Sequence, residues 1–345
     1  MDEHSAAVAS SPTTSLRNTT VSVVIPAFNA AAFLGEALDS VFSQTHQPLE
    51  VIVVDDGSED ETPQVAAAYA SKVTYIRKER RGPASARNIG IRLARGEWIA
   101  FLDADDIWMP GLLEKLISCS AQKGADLVFC DAQIMRNGCV EGGSCFERRG
   151  LKSRLGTAAR GGVLLNPLEL LIELDHFVLT GALLVRRDAL TQIGLYDEAL
   201  YCAEDLDLLL RLSLRFRFAV VDQALMLRRV HAQNMTHDRW TILTGTVNVF
   251  GKVEEYASAT APGTRWRTAL QKRKAQFLRA QGVLYLERGD FVSARKTWAR
   301  SLHSSFTPTV AAYWFASFLP QSWVEVLSNW NRRIRRLPPS PEFMG

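Results

Sequence analysis

The chain has 345 residues, of which 47% are hydrophobic and 22% charged, so it can bury a full core and form two or three domains. Its 40 basic and 37 acidic side chains leave a formal net charge of only +3, which gives no argument for nucleic acid as a partner. The five cysteines lack the spacing of a disulfide framework or a zinc site and favour reduced thiols in a cytoplasmic protein.

Residues 1–20 are rich in Ser, Thr and Ala and have no apolar stretch typical of a signal peptide, so we expect a disordered leader. From residue 21, β-branched apolar runs alternate with segments of helical periodicity at 33–44, 83–95 and 110–123. The predicted strands are VSVVIP (21–26), LEVIVVDDGS (49–58), KVTYIRK (72–78), EWIAFLDAD (97–105) and ADLVFCDAQ (125–133). This alternation predicts an α/β fold with a mostly parallel central sheet.

Residues 136–165 contain many Gly and Arg residues with little periodicity and are predicted to form a long loop. The α/β domain is predicted to span residues 21–235. Its last predicted elements are a strand and the start of a helix within 177–190, a helix at 204–215 and a strand at 218–231. The pattern then becomes helical, so we predict a helical C-terminal extension over 236–345.

The extension contains two amphipathic stretches on either side of Gly289 and Asp290, similar to a single tetratricopeptide hairpin. VAAYWFASFL (310–319) is too short for a bilayer that needs ~20 apolar residues, and two tryptophans and four arginines follow it. This order suits a membrane-interface anchor through residues 306–336, and equally a terminal helix that closes the core with a basic tail.

Polar or aromatic residues follow three of the predicted strands: Phe28 after the first, Asp56 after the second, and Asp103 and Asp105 after the fourth. In an open α/β sheet, ligands bind at the carboxyl ends of the strands. The segment PAFNAAAFLG lacks the glycine-rich loop of a dinucleotide site, so NAD is not expected.

The carboxylates of Asp103 and Asp105 can direct oxygens to one point and suit a hard cation such as Mg2+ or Mn2+. A phosphate held ~4 Å from a carboxylate is repelled by about 4 kcal/mol at an effective dielectric near 20, and a bridging cation reverses that sign. The alternative is an acidic helix N-terminus, and Asp106 is predicted to help cap the helix that begins at Pro110.

Four segments together resemble the family 2 inverting glycosyltransferases in order and approximate spacing, over residues 21 to about 235. They are VSVVIPAFNAAAFLGEALDSVFSQT, VIVVDDGSEDET, GPASARNIGIRLARGEWIAFLDADD and GLYDEALYCAEDLDLLLRL. The resemblance implies a GT-A fold, a nucleoside-diphosphate sugar donor and a DxD metal site.

By matching motif, the resemblance implies nucleotide-sugar binding at Pro26, Ala27, Phe28, Asp56, Arg87, Asp103 and Ala104. Phe28 is expected to stack on the base, Asp56 to accept a hydrogen bond from the base NH, and Arg87 to face the nucleotide or its diphosphate. Many relatives carry an acidic residue where this chain has Ala30, so any role of that carboxylate is absent.

The implied metal ligands are Asp105, with Asp103 and His231, and Asp205 resembles the general base. A single in-line displacement needs a base opposite the leaving group, and a carboxylate at a helix start suits that task. Glu204 competes for the role, and a helix N-cap is the structural alternative for Asp205. Trp108 can line an acceptor site or pack beneath the following helix.

We therefore expect metal-dependent, inverting transfer of a sugar to a hydroxyl of a saccharide acceptor. The resemblance to the family implies that this acceptor is a lipid-linked glycan of a bacterial envelope. The alternative from another class is a noncatalytic module that binds a sugar nucleotide or a polysaccharide. Nucleotidyl transfer is disfavoured, because PAFNAAAF is not a glycine-rich, lysine-containing loop.

Overall fold

The computed structural model describes residues 18–155, 162–174, 176–231, 239–260 and 264–318. Most of the predicted leader and residues 319–336 of the predicted membrane anchor lie outside the described residues. The strands are β1 (Val21–Ala27), β2 (Glu50–Asp55), β3 (Val73–Arg77), β4 (Trp98–Phe101), β5 (Ile107–Trp108), β6 (Leu127–Arg136), β7 (Cys139–Ser144), β8 (Leu183–Arg186) and β9 (Phe218–Val230).

The helices alternate with these strands in the first half of the chain and follow one another after β9. They are α1 (Leu34–Phe42), α2 (Thr62–Ala67), α3 (Pro83–Leu93), α4 (Leu112–Lys123), α5 (Cys145–Arg148), α6 (Leu151–Leu155), α7 (Pro167–Leu174), α8 (Arg187–Ile193), α9 (Glu204–Ser213), α10 (Arg239–Thr260), α11 (Arg265–Glu287), α12 (Phe291–Ser304) and α13 (Pro308–Ala316). A 3₁₀ turn at Thr180–Ala182 precedes β8.

The chain forms two compact units, which do not divide at a single position. The first comprises residues 1–164, 178–194 and 216–229, and the second comprises 165–177, 195–215 and 230–345. This grouping follows packing within each unit, and the predicted domain boundary at residue 235 stays a prediction.

The first unit is built on a nine-stranded sheet in the order β3-β2-β1-β4-β8-β6-β9-β5, with β7 paired to β6. The strands β3, β2, β1 and β4 are parallel, whereas β8 runs antiparallel to β4 and to β6. Val23, Val24 and Ile25 of β1 are fully buried, as expected for a strand covered on both faces. The predicted α/β fold is confirmed, and β8 lies antiparallel between β4 and β6.

The prediction of a long loop over 136–165 is wrong for most of that segment. Residues 127–144 form the β6–β7 hairpin, and α5 and α6 follow it. Asn137 and Gly138 both have positive φ (51° and 77°), the conformation of a tight hairpin turn. An Asn-Gly pair is a strong hairpin signal, and the surrounding Gly and Arg residues obscured it.

In the second unit, α7 packs on α9 and α11, and α10, α11, α12 and α13 pack in chain order. The predicted helix pair around Gly289 is confirmed: α11 ends at Glu287, and the Asp290 side chain caps α12 by accepting from the Ser293 amide at 2.9 Å. The two helices approach closely because Gly282 leaves room for the Trp298 indole. In the described part of the chain, no helix is both long and apolar enough to cross a membrane.

Candidate functional site

The carboxyl ends of β1, β2 and β4 meet at one edge of the sheet. Ala27 of β1 is in register with Asp55 of β2, and the Asp56 amide donates to the Ala27 carbonyl at 2.8 Å. On the other side of β1, Val24 is in register with Phe101, the last residue of β4. Parallel pairing therefore brings the residues after all three strands together, as the strand-end argument predicts.

Asp56 is buried and its carboxylate is already well bound. The amides of Arg81 and Gly82 donate to it at 2.8 and 2.7 Å, and the Lys78 ammonium contacts the same carboxylate. A carboxylate has about four acceptor positions, three of which are used here, and the hydrogen bond from a base NH stays a prediction. The sequence interpretation missed Lys78, although the run of basic residues directly after β3 was a signal for it.

The Phe28 ring follows Pro26 and Ala27 at the end of β1 and is half-buried. The Arg80 guanidinium lies over it, 4.0 Å from the ring centroid. One face of the aromatic ring is therefore covered by a cation. The predicted stacking of a base on Phe28 stays a prediction, and it requires either the opposite ring face or displacement of Arg80.

Arg87 of α3 is 6% exposed and faces the end of β4. Its Nη2 donates to Oδ1 of Asp103 at 2.8 Å. Asp103, Ala104 and Asp105 form the segment that we call the DAD turn, and its middle residue, Ala104, is buried. A buried guanidinium thus offsets part of the negative charge of this turn, and its predicted contact with a nucleotide stays untested.

Asp106 does not cap the following helix, which contradicts the prediction for this residue. The helix α4 begins at Leu112 after Gly111, with no side-chain cap. Asp106 is buried instead, and its Oδ1 accepts a hydrogen bond from the Arg229 amide at 2.9 Å. Burial, together with the charges of Asp105 and Asp103, raises the pKa of Asp106 well above its usual range.

Arg229, at the end of β9, also binds the DAD turn through its side chain. Its Nε donates to the Asp105 carbonyl at 2.9 Å, its Nη2 to Glu36 at 2.7 Å, and its guanidinium lies over the Phe33 ring. The turn is therefore tied to both β9 and α1. Nothing in the sequence pattern indicates this anchoring role of Arg229.

The DAD turn fits a divalent cation that arrives with a phosphate ligand. The Asp103 side chain is 35% exposed, and Asp105 is half-buried, so both carboxylates are accessible. Among the described residues, no group of three or more His, Cys, Asp or Glu side chains is arranged as a metal site. Mg2+ is commonly held by one or two carboxylates plus substrate phosphates, which is the donor set that this turn offers.

Asp205 lies in the second unit, at the second position of α9. The cap position belongs to Ala203, whose φ of 63° places it in the left-handed region, so Asp205 is not the N-cap. The Asp205 Oδ1 accepts from the Leu206 amide at 2.7 Å and lies 3.8 Å from Nδ1 of His176. The Asp205 side chain is 28% exposed, whereas Glu204 is buried.

Trp108 and His231, two further residues considered in the sequence analysis, differ in how deeply they are buried. Trp108 is 2% exposed and donates to the Gly181 carbonyl at 2.7 Å, so it packs in the core of the first unit. His231 directly follows β9 and is half-buried. Its predicted role as a metal ligand stays a prediction.

Comparison with known sequences identifies the family. The family model Glycosyl transferase family 2 matches residues 22–145. An uncharacterized glycosyltransferase of Rickettsia typhi is 30% identical over 243 residues, 68% of this chain and 69% of the relative. A second one, from Rickettsia prowazekii, is 31% identical over 228 residues, 63% and 66% of the two chains. The chain therefore spans about two thirds of the length of these relatives.

Solved structures show the same fold. Residues 1–349 of Staphylococcus aureus TarS in complex with UDP-GlcNAc have a TM-score of 0.65 at 20% identity, over 85% of this chain and 83% of TarS 1–349. The Pyrobaculum calidifontis mannosyltransferase in complex with GDP-Man and Mn2+ has a TM-score of 0.59 at 19% identity, over 90% and 84%. The family model and the Rickettsia typhi relative show that the chain belongs to glycosyl transferase family 2 and is an enzyme that transfers sugar, and the fold agrees with this.

Proposed function

We propose that this enzyme transfers a sugar from a nucleoside-diphosphate sugar to a saccharide hydroxyl, with metal dependence and inversion at the anomeric carbon. The observation that carries the proposal is the cluster at the carboxyl ends of β1, β2 and β4. It combines a buried carboxylate, Asp56, with a buried cation, Arg87, and the accessible carboxylates of Asp103 and Asp105. Base, diphosphate and cation need groups of these three kinds.

On the donor side, we assign the base to Pro26, Ala27, Phe28 and Asp56, and the ribose and diphosphate to Arg87, Asp103 and Ala104. Asp105 and Asp103 would hold Mg2+ or Mn2+, with His231 as a third ligand. The bound cation would act as a Lewis acid for the departing diphosphate. The complexes of TarS with UDP-GlcNAc and of the mannosyltransferase with GDP-Man and Mn2+ support a nucleotide-sugar donor.

On the acceptor side, we assign the general base to Asp205. A base must reach the proton of the attacking hydroxyl, and Asp205 is accessible whereas Glu204 is buried. Asp205 takes this proton as the acceptor oxygen attacks the anomeric carbon, and one displacement inverts that centre. The Leu206 amide holds the Asp205 carboxylate at 2.7 Å, and Nδ1 of His176 lies 3.8 Å from it.

We propose a lipid-linked saccharide of polysaccharide biosynthesis as the acceptor, and a cytoplasmic location with peripheral membrane contact through residues 306–336. All five cysteines are free thiols, which is consistent with a reducing compartment. Within the described part of that segment, Phe306, Phe315 and Phe318 are exposed, as expected for side chains that enter a membrane interface.

Thermal unfolding with UDP, GDP, dTDP and CMP, with and without Mn2+, tests the proposal. We expect one nucleotide to stabilise the wild-type protein only with Mn2+, and Asp105→Ala to lose this stabilisation. Asp188→Ala, which removes an exposed carboxylate at the start of α8, is the matched control and should respond like the wild type. If no nucleotide shifts the unfolding temperature, the strand-end cluster is not the donor site.

A further inference from the structure

The second unit contains a groove of about 470 Å3 that no step of the proposed reaction uses. One wall is formed by α11, from which Arg267, Lys272 and Arg279 line the cavity. Ser304 at the end of α12 and Thr307 before α13 line the opposite side. We call this cavity the α11–α13 groove.

The groove is strongly cationic. Its lining includes Arg267, Lys272 and Arg279 and contains no carboxylate. On neighbouring helical turns, Arg265 and Lys274 form salt bridges with Glu169 and Glu254 at 3.6 and 3.1 Å. Within the described part of the chain, no such salt bridge involves the three cations of the groove.

The excess of positive charge extends over the helices around the groove. Residues 264–318 contain ten Lys and Arg residues but only two acidic residues, although the whole chain has a formal net charge of only +3. Uncompensated cations that are held together repel one another, and a bound anion removes that repulsion. The concentration of charge thus favours an anionic ligand.

Two buried polar atoms of the lining point to the same kind of ligand. Nε of Arg279 and Oγ1 of Thr307 are shielded from solvent, and neither has a hydrogen-bond partner among the described residues. Buried polar groups in folded proteins are almost always hydrogen-bonded, because a buried donor or acceptor without a partner costs free energy. An anion with several acceptor oxygens offers hydrogen-bond partners to donors of this kind.

We propose that the α11–α13 groove binds a phosphate or diphosphate ester. Guanidinium groups match phosphate oxygens in two-point hydrogen bonds, an ammonium adds a point charge, and the hydroxyls of Ser304 and Thr307 supply further donors. The ester can belong to an anionic lipid or to a soluble molecule. The exposed ring of Phe306, between the lining residues Ser305 and Thr307, favours the lipid.

Binding of the full chain to two probes tests this site, independently of the donor and the catalytic residues. The first probe is phosphatidylcholine vesicles with and without phosphatidic acid, followed by co-sedimentation, and the second is inorganic pyrophosphate, followed by calorimetry. We expect Lys272→Gln combined with Arg279→Gln to weaken binding roughly 25-fold, about fivefold for each basic residue.

The matched control is Lys296→Gln combined with Arg300→Gln, which removes the same charge from exposed positions of α12 outside the groove. Only a small loss is expected for it. Equal losses in both double variants would mean diffuse attraction and would overturn the proposal, as would wild-type protein that binds neither probe. Groove-dependent binding of pyrophosphate without vesicle binding would identify a soluble ester, and groove-dependent binding of both probes would identify the lipid.

Discussion

Nη2 of Arg87 donates a hydrogen bond to Oδ1 of Asp103 at 2.8 Å, so a nearly buried guanidinium neutralises one carboxylate of the DAD turn. The same turn holds Asp105 and is followed by the buried Asp106, whose pKa is raised by burial first and by the charges of Asp105 and Asp103 second. The fixed cation and any divalent cation bound at this turn therefore act against the same repulsion.

Arg87→Leu should lower the free energy of unfolding by about 1–3 kcal/mol without divalent cation, since Asp103 loses its charged partner. Mn2+ should restore part of this loss. Urea unfolding with and without Mn2+ measures both effects. The control is Arg95→Leu, which removes an exposed guanidinium from Glu50; Glu50 keeps its hydrogen bonds from Ser22 and the residue-95 amide, so stability should change little. A loss that Mn2+ leaves unchanged would show that the turn does not take up a cation.

Asp205→Asn should lower kcat by about 10² or more with donor binding intact, since an amide cannot take the proton of the acceptor hydroxyl. Turnover of the donor and stabilisation by the nucleotide should be measured side by side. Asp188→Asn, at an exposed position in the first turn of α8, is the control. Turnover equal to that of the wild type would remove Asp205 as the base.

Asp207, two residues later, is expected to act on stability. Its fully buried carboxylate accepts from Arg211 and Tyr256 at 2.7 Å each, and burial and this hydrogen bond raise the pKa of Tyr256. Asp207→Ala should cost about 3–5 kcal/mol in unfolding free energy, because it leaves a buried cation uncompensated. Urea denaturation should show this loss in Asp207→Ala but not in Asp205→Asn. A urea unfolding midpoint for Asp207→Ala equal to that of the wild type would refute the structural role of Asp207.

We expect the free energy of unfolding to depend on pH through the carboxyl group of Asp131. Burial raises the pKa of this carboxyl, although the amides of Ala132 and Phe146 donate to it. A carboxyl with a higher pKa in the folded chain stabilises the fold below its unfolded pKa and loses that effect as the pH rises through the folded value. Asp131→Asn keeps an acceptor oxygen without the charge. It should therefore be more stable than the wild type at about pH 8, with the difference vanishing below about pH 4.

Urea unfolding of wild type and Asp131→Asn across this pH range is the measurement. Asp188→Asn should show no comparable dependence, because Asp188 is exposed. Greater stability of the wild type at high pH would contradict the expectation.

Two glycines on helices of the second unit should respond to alanine in opposite directions. A Cβ at Gly282 would lie 2.2 Å from Nε1 of Trp298, whereas at Gly251 it would meet nothing within 4 Å. Gly282→Ala should destabilise by about 1–3 kcal/mol through overpacking. Gly251→Ala should stabilise by about 0.5–1 kcal/mol through higher helix propensity. Changes of the same sign in thermal unfolding would contradict the close approach of α11 and α12.

Much of the first unit could be predicted from local pattern. The strands β1 and β3 and the helix α3 lie within one or two residues of their predicted bounds, and β2 ends three residues before its predicted end. Hydrophobic period and β-branched composition are local properties, and they survive in any packing that buries the same face. The convergence of Asp56 and Asp103 was also predictable, because parallel strands place their carboxyl ends at one edge.

The sequence by itself thus determined the alternation of strands and helices, the polar residues at the strand ends and the helical character of the second half. Only the tertiary structure decided that Asp106 binds the Arg229 amide, 123 residues away, and that Arg279 and Thr307 share a groove. A carboxylate, a cation or a hydroxyl has no periodic signature that identifies its distant partner. That choice depends on which surfaces the packed helices and strands bring within hydrogen-bond distance.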